Sequence, residues 1–171
     1  MTKQRASADH DAGEDPHVAR LRRLFETHPV WLAAARHVLP EACSTVRFSH
    51  LSGRAWTLRA EAGHTVLVPG RARDPDFVFR FTPAAVERLE ATRGRTADFA
   101  IELFTLIEHP DPALRVGFRV AAPFSRLVRR GYLGLLAAAG PRVLAYGAAR
   151  GVAGVGALRR LVERRRRADR R

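Results

Sequence analysis

The side chains with chemistry to offer are scattered along the chain. Seven histidines occur: His10, His17, His28, His37, His50, His64 and His109. A helical metal site wants two histidines at i and i+4, and a zinc finger wants paired cysteines. Neither spacing occurs, and Cys43 is the lone cysteine, so no metal, cofactor or intramolecular disulfide is expected. Ser49, His50 and Asp111 are the side-chain types of a catalytic triad. Without a strand–turn–helix setting around the serine, the chain is read as a non-enzyme. Gly151, Gly154 and Gly156 follow no strand and lack G-x-G-x-x-G spacing, which excludes a dinucleotide loop. Gly147 and Gly151 make one G-x-x-x-G step, which suits close helix packing or a dimer through a C-terminal helix.

Charge is the other chemical resource. The formal net charge is +13, carried by thirty basic residues of which Lys3 is the only lysine. Guanidinium forks match phosphate oxygens, although a GC-rich bacterial genome would bias the composition the same way. Residues 159–171 hold eight arginines against Glu163 and Asp169, a net +6. This run has no interleaved aromatics, so nucleic acid is the less favoured partner. Before it lies a Gly-, Ala-, Leu- and Val-rich stretch in which Arg142, Tyr146, Arg150 and Arg160 recur at helical spacing. An apolar helix striped with arginine and followed by a basic tail suits an anionic membrane surface. Arg126, Arg129, Arg130, Arg142, Arg150, Arg159 and Arg160 are the residues expected to meet headgroup phosphates. The alternative is a tail that binds nucleic acid or an acidic partner.

The elements that must position these groups follow from periodicity. Phe77, Phe79 and Phe81 fall on every second residue and so share one face of a strand. Val46 and Phe48 alternate in the same way, as do Trp56 and Leu58, and Leu114, Val116, Phe118 and Val120. Tight turns separate the first strands, which predicts an antiparallel meander. Asp15-Pro16 and Thr82-Pro83 are cap-then-proline starts of helices. Val86 and Leu89 mark the inner face of one helix; Phe99, Leu103, Phe104 and Ile107 mark that of the next. The expected class is α+β: an antiparallel sheet of about five strands, helices on one face, and a C-terminal amphipathic helical extension. The domain spans about residues 16–125, after a disordered leader over 1–15. A helical region over about 126–162 and a basic tail over 163–171 follow it. No run reaches about 18 apolar residues, so no spanning helix is expected. Met1 to Asp15 has no apolar run of the secretory kind, which points to the cytoplasm, on the inner face of the membrane.

A strand stripe of phenylalanine under helices is either a filled core or a pocket for an apolar molecule. From the pattern alone a filled core is the commoner outcome. Gly53-Arg54-Ala55-Trp56-Thr57-Leu58 is followed by a glycine turn. Pro75-Asp76 then leads a strand that ends in Thr82, capping a helix that begins Pro83-Ala84-Ala85-Val86. This order resembles the sterol carrier protein type 2 family of lipid-binding domains, over about residues 18–120. Trp56, Pro75, Asp76 and Thr82 occupy the places of that family's motif. The resemblance implies an apolar tunnel for a sterol, fatty acyl chain or other lipid, without catalysis. Phe48, Trp56, Leu58, Phe77, Phe79 and Phe81 would line it from the sheet, with Val116 and Phe118. Val86, Leu89, Phe99, Leu103, Phe104 and Ile107 would line it from the helices. One departure is plain: where the family has a late glycine-bounded strand, this chain has the helical run Ile101–Glu108, followed by Pro110 and Pro112.

Overall fold

The computed structural model describes residues 14–61, 63–92 and 96–168. Residues 1–13 of the predicted 1–15 leader lie outside them, and so do the last three residues of the tail. Asp15 caps α1 (Pro16–Thr27): its Oδ1 accepts the backbone N–H groups of His17 at 2.9 Å and Val18 at 3.3 Å. Val18, Leu21, Leu24 and Phe25 form the buried face of that helix, and α2 (Pro29–His37) follows. Strands β1 (Cys43–Phe48), β2 (Trp56–Glu61) and β3 (His64–Pro69) make an antiparallel meander. Strand β4 (Phe77–Phe81) leads into α3 (Pro83–Ala91), capped by the Thr82 hydroxyl on Ala85 N–H, and then α4 (Thr96–Ile107). Strand β5 (Gly117–Val120) completes a five-stranded sheet ordered β3-β2-β1-β4-β5.

The sheet is mixed, which corrects the antiparallel expectation: β4 runs parallel to β1, with Ser44 opposite Phe77 and Phe48 opposite Phe81. The reason lies in the loop that follows β3. It leaves from Gly70, whose N–H donates to Ala55 O, and arrives at Asp76, whose N–H donates to Cys43 O. Between these points Thr57 Oγ1 donates to Gly70 O, and Cys43 Sγ lies 3.6 Å from Asp74 O. The loop therefore crosses the back of the sheet, burying Ala72 and Thr45, and delivers β4 beside β1 in the same direction. The final strand is also shorter than its alternation suggests. Leu114 lies in a turn, its N–H bonded to Asp111 O, and Val116 N–H bonds to Leu106 O at the end of α4 rather than to a strand. Ile101–Ile107 of the run Ile101–Glu108 lie in α4, the helix their pattern indicates.

Register places Val46, Phe48, Trp56, Leu58, Leu67, Phe77, Phe79, Phe81, Phe118 and Val120 on one face. That face is divided. At one end α1, α3 and α4 close over it, and Val46, Phe48, Trp56, Phe81, Val86 and Leu106 pack as a continuous core. Toward the other end the cover comes from the C-terminal helices α5 (Phe124–Arg129), α6 (Tyr132–Ala138) and α8 (Gly154–Ala168), while α7 (Pro141–Ala148) packs on α4 and α6. A second cluster of Val120, Ala122, Leu127 and Val162, flanked by Phe77 and Phe118, ties β5 to α5 and α8. The single arginine-striped helix expected from Arg142 to Arg160 is broken into α7 and α8. Gly151, at φ 78°, caps α7, with its own N–H on Ala148 O and Val152 N–H on Gly147 O. Those two bonds are the Schellman pattern, in which glycine takes the left-handed position. The G-x-x-x-G step is thus a helix end, not a helix face.

Candidate ligand cavity

Between the second half of the sheet face and its helical cover lies a cavity of about 340 Å³. Its floor is Phe77 and Phe79 from β4, Phe118 from β5 and Leu58 from β2. The three rings brace one another: Phe118 is stacked 5.5 Å from Phe77 and lies 5.2 Å from Phe79. All three stay half-buried, although they point inward. Opposite them α4 presents Leu103, Phe104 and Ile107. The helix can do this because its next face, Phe99 and Leu106, is fixed in the core. Leu133 and Leu136 of α6 and Leu158, Leu161 and Val162 of α8 complete the wall. Glu108 and Arg165 touch the cavity and are exposed, so charge sits at its rim and carbon inside.

The residues expected to form an apolar site therefore fall into two sets. Leu58, Phe77, Phe79, Leu103, Phe104, Ile107 and Phe118 line the cavity. Phe48, Trp56, Phe81, Val86, Leu89, Phe99 and Val116 are packed in the closed core instead. The phenylalanine stripe of β4 crosses the divide, with Phe81 1% exposed and Phe79 the first residue on the cavity side. Sequence reading passed over the α6 and α8 leucines as lining. Their signal was the apolar run over residues 131–158, which was given to a membrane surface.

A buried carboxylate holds the cover in place. Asp76 is fully buried at the start of β4. Its Oδ1 accepts from Arg130 at 2.7 Å and lies 3.4 Å from Arg126 Nε, and its Oδ2 accepts from the Tyr132 hydroxyl at 3.1 Å. Its backbone carbonyl takes the N–H groups of Ala121 and Ala122. Tyr132 in turn sets its ring edge-on against Phe77, 4.9 Å away, as part of the cavity wall. Burial, and next the charge of Asp76, raise the Tyr132 phenol well above its ordinary value, so it stays a neutral donor. Burial and then Asp76 push up the Cys43 thiol as well, which favours its protonated form.

The seven arginines expected at a membrane separate in the same manner. Arg126 and Arg130 turn inward to Asp76, and Arg126 also pairs with Asp74. Arg142 pairs with Asp98 at 2.8 Å; Arg150 pairs with Glu108 at 3.0 Å and lies 3.5 Å over the Tyr146 ring. Arg129, Arg159 and Arg160 are exposed. The basic run 164–167 continues α8 as helix. No helix among the described residues is long and apolar enough to cross a membrane.

No protein-family model matches the chain, and no curated protein matches it in sequence. Among solved structures, one described as "UbiJ-SCP2 Ubiquinone synthesis protein" is similar over 71% of this chain and 87% of its own, at 15% identity and a TM-score of 0.41. So loose a likeness carries no weight for function.

Proposed function

We propose that this protein binds one apolar lipid, a sterol or a fatty acyl chain, in the cavity under its C-terminal helices, and does so without catalysis. The observation that supports the reading is the lining: aromatic and aliphatic side chains from β4, β5, α4, α6 and α8 around about 340 Å³ of space. Ligand pockets run from about 300 to 1,000 Å³ and are mostly apolar. Burial gains about 0.8 kcal/mol per CH₂, so a chain needs few polar contacts to be held there. The lipid would be taken from and returned to an anionic membrane surface. The unpaired exposed arginines of α5 and α8, Arg129, Arg159 and Arg160, would meet the headgroups.

Native mass spectrometry of the purified protein, followed by solvent extraction and lipid identification, tests the reading. A stoichiometric co-purified lipid is expected. A clean apo mass that stays unchanged after incubation with mixed lipids would overturn it, and would leave the arginine-rich α8 to act on another acidic partner.

A further inference from the structure

The start of α1 meets the turn after β1. Asp15 and His17 come from the first, and His50, 35 positions beyond Asp15, from the second. Their metal-binding atoms all lie within 4.8 Å of one another. His50 Nε2 is 3.0 Å from Asp15 Oδ2, and His17 Nδ1 is 3.4 Å from Asp15 Oδ1. A tetrahedral shell with bonds of ~2.0–2.1 Å sets its ligand atoms about 3.3 Å apart, so these separations are those of ligands around one ion. We propose that Asp15, His17 and His50 form a site for a divalent transition metal, zinc foremost, with a fourth position open to water.

Three further features support it. His17 Nδ1 is buried with no hydrogen-bond partner, an unusual state for an imidazole nitrogen beside a carboxylate. Its other nitrogen, Nε2, lies 3.6 Å from Glu87 Oε1. A ligating histidine is ordinarily oriented by a carboxylate on its far nitrogen, and Glu87, held by Arg20 at 3.4 Å, lies just beyond hydrogen-bond distance of that place. Asp15 is itself oriented: its Oδ1 is held by the backbone N–H groups of His17 and Val18, which turns Oδ2 toward His50, and the ion would replace the hydrogen bond between those two. Two imidazoles with one carboxylate suit zinc and its transition-metal neighbours and do not suit magnesium or calcium. The spacing rules missed the site because its third ligand is distant in sequence and its first two are only two residues apart, at a helix cap rather than along a helix.

The test is isothermal titration of the full chain with zinc chloride, with thermal melts recorded alongside. One zinc per chain is expected, with a melting temperature that rises with zinc concentration. Binding should weaken in acid, because protons compete with the metal for its ligand atoms. His17→Ala and His50→Ala should each lower affinity by at least ~10–100-fold. Asp15→Asn keeps the helix cap but removes the anionic ligand, so it should lose zinc while its zinc-free melt stays near that of the parent. His64→Ala, outside the cluster, should bind as the parent does. Failure of the parent to bind zinc, or equal binding by the parent and the His17 and His50 variants, would overturn the site.

Discussion

At the residue scale the molecule turns on Asp76. A fully buried carboxylate is tolerated because two guanidinium groups and a phenol converge on it. Asp76→Ala strands Arg126 and Arg130 without their counter-charge and should cost about 3–5 kcal/mol, read as a lower urea midpoint. The Pro75-Asp76 pair was legible as a motif position. Its partners were not, because Arg130 and Tyr132 lie 54 and 56 positions away in a stretch read for its surface charge. His28 gives a second test at this scale. Burial lowers its pKa from 6.5, so the folded state resists protonating it while the unfolded chain does not. Its contribution is whole above that pH and is lost as pH falls below it. Thermal melts on either side of pH 6.5 should show less acid destabilisation in His28→Gln than in the parent.

At the element scale, helix starts and strand faces were written in local sequence. Asp15, Thr82 and the period-two phenylalanines each specify their structure within a few residues. The parallel placement of β4 was not local: a proline-rich loop that crosses the back of the sheet looks, in sequence, like any hairpin loop. The break between α7 and α8 was marked by Gly151, whose role as a helix end only appears once its neighbours' bonds are known. The docking of the C-terminal helices rests on another glycine. Gly131 has φ 89°, and a Cβ there would stand 2.0 Å from the carbonyl oxygen of His37. The close approach lets Leu39 N–H bond to Arg130 O, joining the segment after α2 to the turn between α5 and α6. Gly131→Ala adds backbone strain of about 1–3 kcal/mol before the clash is counted. It should lower the melting temperature and weaken lipid retention together, because the cavity cover is the element that moves.

At the scale of the whole molecule, the C-terminal third is part of the structure rather than an appendage. It supplies the α6 and α8 walls of the cavity while its outer arginines stay in water. Sequence showed one apolar stretch and one basic run. It could not show that a face read as membrane-directed would fold back onto the sheet, because both fates require the same apolar residues. Under the membrane reading, Arg159→Glu with Arg160→Glu should weaken binding to anionic vesicles by about 2 kcal/mol or more, roughly 30-fold, and do so less at high salt. Vesicle sedimentation measures it, and the variant should keep its bound lipid.

The central claim is that one phenylalanine stripe serves two purposes, with Phe81 in a filled core and Phe79 facing the cavity in which we propose a lipid binds. The most direct measurement is the affinity of a fluorescent fatty acyl probe for the parent, Phe79→Asp and Phe81→Leu. Phe81→Leu should cost up to ~1.5 kcal/mol of stability and leave probe affinity unchanged. Phe79→Asp should remain folded, keep its attachment to anionic vesicles, and lose the probe. Equal probe affinity in the parent and Phe79→Asp would place the lipid elsewhere and contradict the account.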